Sequence, residues 1–216
     1  MRRTPGEIWK SMVQGNERFL SGQPAHPRQD VERRELLAEE QTPHAALFGC
    51  SDSRLSAEII FDQGLGDLFV VRNAGQVISN SVLGSLEYAV HVLGVGLIVV
   101  LAHDHCGAVE AAISRKLNPQ KRYPAHIETL IGDIAPAVER VQNSSGTNST
   151  QAPDSTLVGT EHLRDTISVL LSQSELIGQS IAEGRLAIVG ANYVLAEGRV
   201  SANVVIGEID TPHHTV

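Results

Sequence analysis

The sequence GLIVVLA (Gly96–Ala102) decides the fold, and HDHC (His103–Cys106) follows it directly. Between its ends the run contains only leucine and β-branched residues, which is typical of a parallel strand covered by helices on both faces. A second apolar run, Ala45–Gly49, is followed in the same way by CSDSR (Cys50–Arg54). Functional sites of open α/β sheets lie beyond the carboxyl ends of the strands. We therefore expect the two cysteines of the chain to meet a histidine and a carboxylate at one edge of a sheet.

Strand-like and helix-like segments alternate along the rest of the chain. Helical spacing of apolar residues and helix-start signals predict helices over 4–20, 30–41, 56–63, 79–93, 107–117, 126–142 and 161–183. Strands are predicted over 45–49, 68–72, 96–102, 186–191 and, as an edge strand, 200–206. This alternation predicts an α/β fold with a mainly parallel central sheet, four parallel strands plus an antiparallel edge strand, flanked by helices. We expect a single domain over 1–216 that includes an N-terminal helical arm at 1–41.

One polar segment interrupts the predicted helices. Residues 142–155 are rich in Ser, Thr, Asn and Pro and contain almost no apolar side chains. This composition predicts a flexible surface loop. Because the loop lies within a helical region, it need not mark a domain boundary.

Charge and composition exclude several classes of protein. The 216 residues carry 25 acidic and 17 basic side chains and a formal net charge of −8, which argues against a nucleic-acid binder. No apolar run approaches the length of a membrane span. The N-terminal residues lack the apolar core of an export signal. We therefore expect a cytoplasmic protein, and in a reducing compartment two cysteines more often bind metal or catalyse than form a disulfide.

The residue types at the two strand ends predict a zinc site. Thiolates from Cys50 and Cys106 together with the His103 imidazole form a borderline-soft ligand set, and three protein ligands with an exchangeable fourth position are typical of catalytic zinc. The fourth ligand would be water or Asp52, the latter only in a closed state. A structural zinc site closed by Asp52 is an alternative. His105 could also replace His103 as a ligand or act as a proton shuttle.

Arg54 is the predicted regulator of this fourth position. Zinc can lower the pKa of bound water to roughly 7, which yields hydroxide at neutral pH. Two thiolates oppose this by donating charge to the metal, so the protein must supply compensation. A paired Asp52–Arg54 would hold the carboxylate off the metal, where it can accept a proton. A broken pair would let Asp52 close the site.

These motifs resemble those of the β-class carbonic anhydrases. CSDSR is followed some fifty residues later by HxxCGA, and the likeness extends over GNERF, DLFVVRNA, GSLEYAV, GLIVVLAHDHCGAV and LAIVG, in this order, between residues 15 and 190. The resemblance implies a carbonate dehydratase, a zinc lyase that reversibly hydrates carbon dioxide to bicarbonate and a proton. It places one Zn²⁺ per chain on Cys50, His103 and Cys106, with Asp52 and Arg54 as the catalytic dyad.

The resemblance also implies a substrate pocket. Gln41 matches a glutamine that donates a hydrogen bond to a substrate oxygen, and the Gly107 N–H matches a second donor. Phe69 and Tyr88 match apolar walls of the carbon dioxide pocket, and Ala74 stands where some members have valine. Plain core packing is the alternative interpretation of these last three residues.

Assembly and regulation are further implications. In this family the site lies at a subunit boundary, and Gln41 and the aromatic wall are expected from the neighbouring chain. The N-terminal helix is more apolar than a free arm should be, so we predict that it wraps a partner in a homodimer or a tetramer of dimers. Some members also bind a regulatory bicarbonate through a tryptophan, an arginine and a tyrosine. Arg72 and Tyr193 are present, but the tryptophan position is Leu47, so we expect no such site.

Two other functions remain compatible with the ligand motifs. One is a related zinc hydrolase that acts on carbonyl sulfide or carbon disulfide. The other is a non-catalytic binding module stabilised by zinc, for which neither Arg54 beside Asp52 nor Gln41 has an evident use.

Overall fold

A single five-stranded sheet organises the chain. The computed structural model describes residues 3–144 and 151–209. The strand order is β2-β1-β3-β4-β5, with the following bounds: β1 Ala45–Cys50, β2 Leu68–Asn73, β3 Leu97–His103, β4 Ala187–Val194 and β5 Arg199–Ile206. The pairs β1–β2, β1–β3 and β3–β4 are parallel, and β5 is antiparallel to β4. The predicted α/β class and its antiparallel edge strand are therefore confirmed.

Helices cover both faces of this sheet. Their bounds are α1 Pro5–Leu20, α2 Val31–Leu36, α3 Ala57–Ile60, α4 Asn80–His91, α5 Gly107–Leu117, α6 Ala125–Gly132, α7 Ala135–Ser144, α8 Ser155–Gln173 and α9 Glu175–Ala182. Side chains of β3 alternate between two apolar clusters, Leu97, Val99 and Leu101 facing one and Ile98 and Val100 the other. All seven residues of β3 are buried, which explains its continuous apolar sequence. None of the helices in the described ranges is long and apolar enough to cross a membrane.

Two predicted helices differ from the observed ones for simple reasons. The helix predicted over 30–41 is only Val31–Leu36, and because none of its residues is buried no tertiary contact supports a longer one. The helix predicted over 126–142 is divided into α6 and α7. Pro136 lies at the division, and it has no N–H to donate to the carbonyl four residues earlier.

The last predicted helix also differs, because a helix-capping residue lies within the polar segment. The Asp154 carboxylate accepts hydrogen bonds from two N–H groups of the first turn of α8, which therefore begins at Ser155 rather than at residue 161. Ser174 then ends α8 and caps α9. Of the predicted loop at 142–155, residues 142–144 belong to α7, and 145–150 lie outside the described residues.

The N-terminal helix packs against its own chain. Ile8, Trp9 and Met12 are buried in the apolar cluster on one face of the sheet, and the Trp9 ring meets the Phe61 ring edge-on at 6.4 Å between centroids. Contacts within the chain thus account for the apolar face of this helix. That it wraps a partner stays a prediction.

Asn16 joins the N-terminal helix to the rest of the fold. Its Nδ2 donates to the carbonyls of Ile60, at 3.1 Å, and Gly198, at 2.8 Å, and its Oδ1 accepts from the Val200 N–H at 3.0 Å. Asn16→Ala would leave these buried groups unpaired, so we expect a loss of about 3 kcal/mol in the free energy of unfolding. Urea denaturation at a fixed protein concentration measures it. The control Gln14→Ala, exposed on the same helix, should change stability by no more than about 0.5 kcal/mol. A loss from Asn16→Ala no larger than that of the control would contradict this account.

Candidate metal centre

Three buried side chains converge where β1 and β3 end. Cys50 is the last residue of β1, His103 is the last of β3, and Cys106 precedes the first residue of α5. The two strands are parallel neighbours, so their carboxyl ends lie at the same edge of the sheet. One ligand atom from each of Cys50, His103 and Cys106 lies within 4.8 Å of the other two. These three residues are positioned to bind a metal ion.

The protonation of His103 suits metal binding. Its Nδ1 lies 2.7 Å from the Asp104 carbonyl oxygen, and because a carbonyl only accepts, Nδ1 must carry the proton. The lone pair is therefore on Nε2, which is buried and has no hydrogen-bond partner within the described part of the chain. An unsatisfied buried nitrogen is costly. A metal ion would satisfy it, with the other ring nitrogen oriented by a backbone carbonyl as in most histidine–metal sites.

The two thiols are electrostatically unequal. A hydrogen bond from Cys106 lowers the pKa of the Cys50 thiol against the opposing effect of burial, and the backbone N–H groups of Gly75 and Asp52 lower it further. The Gly75 nitrogen lies 3.4 Å from the Cys50 Sγ. The same contact with Cys50, together with burial, raises the pKa of Cys106. The metal-free pair thus keeps one proton, which must leave when a cation takes both thiolates.

Asp52 is held by Arg54 beside this cluster. The Arg54 Nε donates to Asp52 Oδ1 at 2.8 Å, its Nη2 donates to Oδ2 at 2.6 Å, and its backbone N–H donates to Oδ1 at 2.9 Å. Nη2 also donates to the His105 carbonyl at 3.1 Å. The hydrogen bond from the Arg54 side chain holds the pKa of Asp52 well below its usual range. Asp52 is therefore an ionised, oriented carboxylate in this structure, and it does not belong to the cluster of three ligand atoms.

Arg72 has a role that the sequence did not reveal. From the end of β2, its Nε donates to the Cys50 carbonyl at 2.9 Å and its Nη2 to the Asp52 carbonyl at 2.7 Å. Arg72 thereby fixes the backbone on both sides of Ser51. The sequence singled out Arg72 by its place near the end of a predicted strand and by its match to the arginine of the regulatory bicarbonate site, and neither indicates these contacts.

The predicted pocket residues fall into two groups. Gly107 is the first residue of α5, directly after Cys106, and Ala74 adjoins Gly75, whose N–H reaches Cys50. Gln41 instead precedes β1, at the opposite end of the strand from Cys50. Ala45, the first residue of the strand, lies five residue steps from Cys50, a distance of about 16 Å. Its own chain therefore does not bring Gln41 to the cluster.

The aromatic pair lies with the distant group. Phe69 is opposite Ala46 in the sheet register, near the start of the strands. Its ring is 6.1 Å from that of Tyr88, centroid to centroid, and Tyr88 is 45% exposed. This separation agrees with the expectation that Gln41 and the aromatic wall serve a neighbouring subunit, which stays a prediction.

Comparison with known proteins identifies the family. A model of the carbonic anhydrase family matches residues 45–200. Carbonic anhydrase 2 of Mycobacterium tuberculosis is 46% identical over 205 residues, which cover 95% of this chain and 96% of that protein. The solved structure of the β-carbonic anhydrase CcaA superimposes with a TM-score of 0.68 at 25% identity, covering 91% of this chain and 88% of that one.

A further solved structure shows the same fold. One of two β-carbonic anhydrases from Sordaria macrospora, described as tetrameric, gives a TM-score of 0.67 at 24% identity and covers 90% of this chain and 95% of that one. The metal-binding geometry, the family match and the close relative agree. The chain therefore belongs to the β-class carbonic anhydrases, and it is an enzyme of that family.

Proposed function

We propose that the protein hydrates carbon dioxide reversibly to bicarbonate and a proton, with one zinc ion held by Cys50, His103 and Cys106. The observation that carries the proposal is the buried group of three ligand atoms within 4.8 Å of one another, beside a bidentate Asp52–Arg54 pair. Two thiolates and an imidazole match zinc better than a hard cation. When bound, zinc supplies hydroxide at neutral pH by lowering the pKa of water.

Asp52 and Arg54 supply the proton chemistry in this proposal. An ionised carboxylate can only accept hydrogen bonds, so Asp52 orients the attacking water and takes its proton. The bidentate contact from Arg54 fixes the direction of the carboxylate and keeps it from the metal. If this contact breaks, Asp52 is free to occupy the fourth ligand position, which would switch the site off.

Substrate binding completes the proposal. The Gly107 N–H, at the N-terminus of the eleven-residue helix α5, suits an oxygen of bicarbonate, because helix N-termini favour anions. We propose that Gln41 of a neighbouring subunit is a second donor, and that Phe69, Ala74 and Tyr88 form apolar walls. Carbon dioxide offers little for hydrogen bonds, so it needs such walls. The proposed assembly is a homodimer or a tetramer of dimers, as the tetrameric Sordaria proteins of the same fold suggest.

We also propose a cytoplasmic location. Both cysteines are unpaired in the fold, and the proposed metal binding requires them reduced, which suits a reducing compartment.

The direct test is a stopped-flow assay of carbon dioxide hydration on protein whose zinc content has been measured. We expect about one equivalent of zinc per chain, loss of hydration when a chelator removes it, and recovery when zinc is restored. Parallel assays with carbonyl sulfide and carbon disulfide distinguish the related hydrolases. Zinc-loaded protein that fails to hydrate carbon dioxide at any pH up to about 9, the pKa of water on aqueous zinc, would contradict the proposal. Turnover of carbonyl sulfide or carbon disulfide would then favour a hydrolase. If none of the three substrates is turned over, a binding module would be favoured.

A further inference from the structure

A strained turn follows β2 and touches the metal centre. Residues Ala74–Gln76 form one 3-10 turn in which Gly75 has φ +77° and Gln76 has φ +46°. A methyl group on Gly75 would lie 2.9 Å from the Ala108 Cβ, so only glycine fits. A buried, non-glycine residue such as Gln76 keeps a left-handed conformation only when its surroundings enforce it. The turn matters because it directs the Gly75 N–H at Cys50 Sγ.

Helix α8 holds this turn mainly through a hydrogen bond from His162. The His162 Nε2 lies 2.8 Å from the Gly75 carbonyl oxygen. The single proton of the Thr166 hydroxyl is shared between the carbonyls of His162, at 2.9 Å, and Gln76, at 3.3 Å, so its contact with the turn is the weaker one. A carbonyl cannot donate, so the proton of His162 is on Nε2. Its Nδ1 is buried without a partner in the described ranges, and burial lowers the pKa of His162. His162 is thus a neutral donor whose tautomer is set by Gly75.

We propose that His162 is a positioning residue of the metal centre, which holds Gly75 so that its N–H donates to the Cys50 sulfur. The proposal rests on zinc being held as described above. An N–H···S hydrogen bond withdraws charge from a thiolate, and so reduces the charge that the sulfur donates to the cation. This contact is part of the compensation that a two-thiolate site requires.

His162 acts through Gly75 rather than on a reactant. The cavity that it shares with His103 and Cys106 has a volume of about 10 Å³, the size of a single water molecule. His162 itself is only 4% exposed. No substrate oxygen can reach it by this route. The expected effect of its removal is therefore a change in the electronic state of the bound metal.

The test compares His162→Phe, which keeps a ring but has no donor, with His162→Gln, whose amide N–H can still reach the Gly75 carbonyl. In cobalt-substituted protein, the thiolate-to-cobalt charge-transfer band should move to longer wavelength in His162→Phe and return toward the wild-type position in His162→Gln. His162→Phe should also release zinc to a chelator about tenfold faster than wild type. Its rate of carbon dioxide hydration should fall by about tenfold, as is typical when a partner of a metal ligand is removed. The band reports on the N–H···S contact even if the wild-type protein proves unable to hydrate carbon dioxide, so the two proposals fail separately.

Leu170→Ala is the matched control for destabilisation. Leu170 is fully buried on the same helix and packs into the apolar cluster that contains Phe48. Its truncation should lower the melting temperature without moving the cobalt band. If His162→Phe does not fold, His162→Thr serves instead. Its hydroxyl can donate to the carbonyl four residues earlier in the helix, as that of Thr166 does at 2.9 Å, so it is not left to donate to Gly75. The proposal is overturned if the variant without a hydrogen-bond donor at position 162 has the same cobalt band and the same rate of metal loss as the wild type or Leu170→Ala.

Discussion

Asp52→Asn is expected to lower the rate of carbon dioxide hydration by about 10²–10⁴-fold while leaving one equivalent of zinc on the protein. Asparagine preserves the size of the side chain, but its amide cannot take up a proton. It also offers one acceptor oxygen to Arg54 where the carboxylate offers two at 2.6 and 2.8 Å. Stopped-flow hydration assays and zinc analysis on the same preparation measure both quantities.

Asp104→Asn is the matched control for this change. The Asp104 carboxylate lies close to the same strand end, but its Oδ1 accepts from the Leu195 N–H at 2.8 Å, a bond that an asparagine oxygen can also accept. We expect activity within a factor of about three of wild type, since surface-near substitutions that preserve such bonds change little. Full activity in Asp52→Asn would remove Asp52 from the proton chemistry. Loss of zinc in Asp52→Asn would instead favour a structural site in which Asp52 is a permanent ligand.

The sheet and the meeting of Cys50, His103 and Cys106 were predictable because local patterns report them directly. The apolar run of β3 has no polar residue from Leu97 to Ala102, so it can only be a strand or helix covered on both faces, and the polar HDHC that follows marks its end. Strand ends in a parallel sheet share one edge, and this topology brings Cys50 to His103. The prediction needed only the order of elements, not their packing.

The contacts that refine the site could not be predicted in the same way. Arg72 binds two backbone carbonyls about twenty residues earlier in the chain, and His162 binds the Gly75 carbonyl 87 residues away. Every residue has a backbone carbonyl, so a side chain that binds one has no partner that can be recognised by its residue type in the sequence. No motif in the sequence distinguishes His162 from the other histidines, and in the fold it is buried. Its hydrogen bond depends on how α8 packs, which no local pattern encodes.

His103→Ala is expected to weaken zinc binding by roughly 10²–10³-fold. Zinc sites of this kind have apparent binding energies of about 10–16 kcal/mol, so an equal share for one ligand of a four-coordinate ion is about 3–4 kcal/mol. The backbone should tolerate the change, since His103 is the last residue of a strand that pairs along its whole length with β4. Chelator competition measures the affinity, and the cobalt-substituted protein should lose its tetrahedral absorption pattern.

His105→Asn separates the two candidate histidine ligands. His105 is exposed and has φ +50°, a conformation that asparagine tolerates better than alanine does, so the variant removes the imidazole with little strain. We expect its zinc affinity to match that of wild type, because a ring nitrogen of His103 already lies within 4.8 Å of both sulfurs and the His105 side chain does not belong to the cluster. If zinc is instead lost from His105→Asn and retained by His103→Ala, the histidine ligand is His105 and not His103. The buried Nε2 of His103 would then have to be satisfied by something other than the metal.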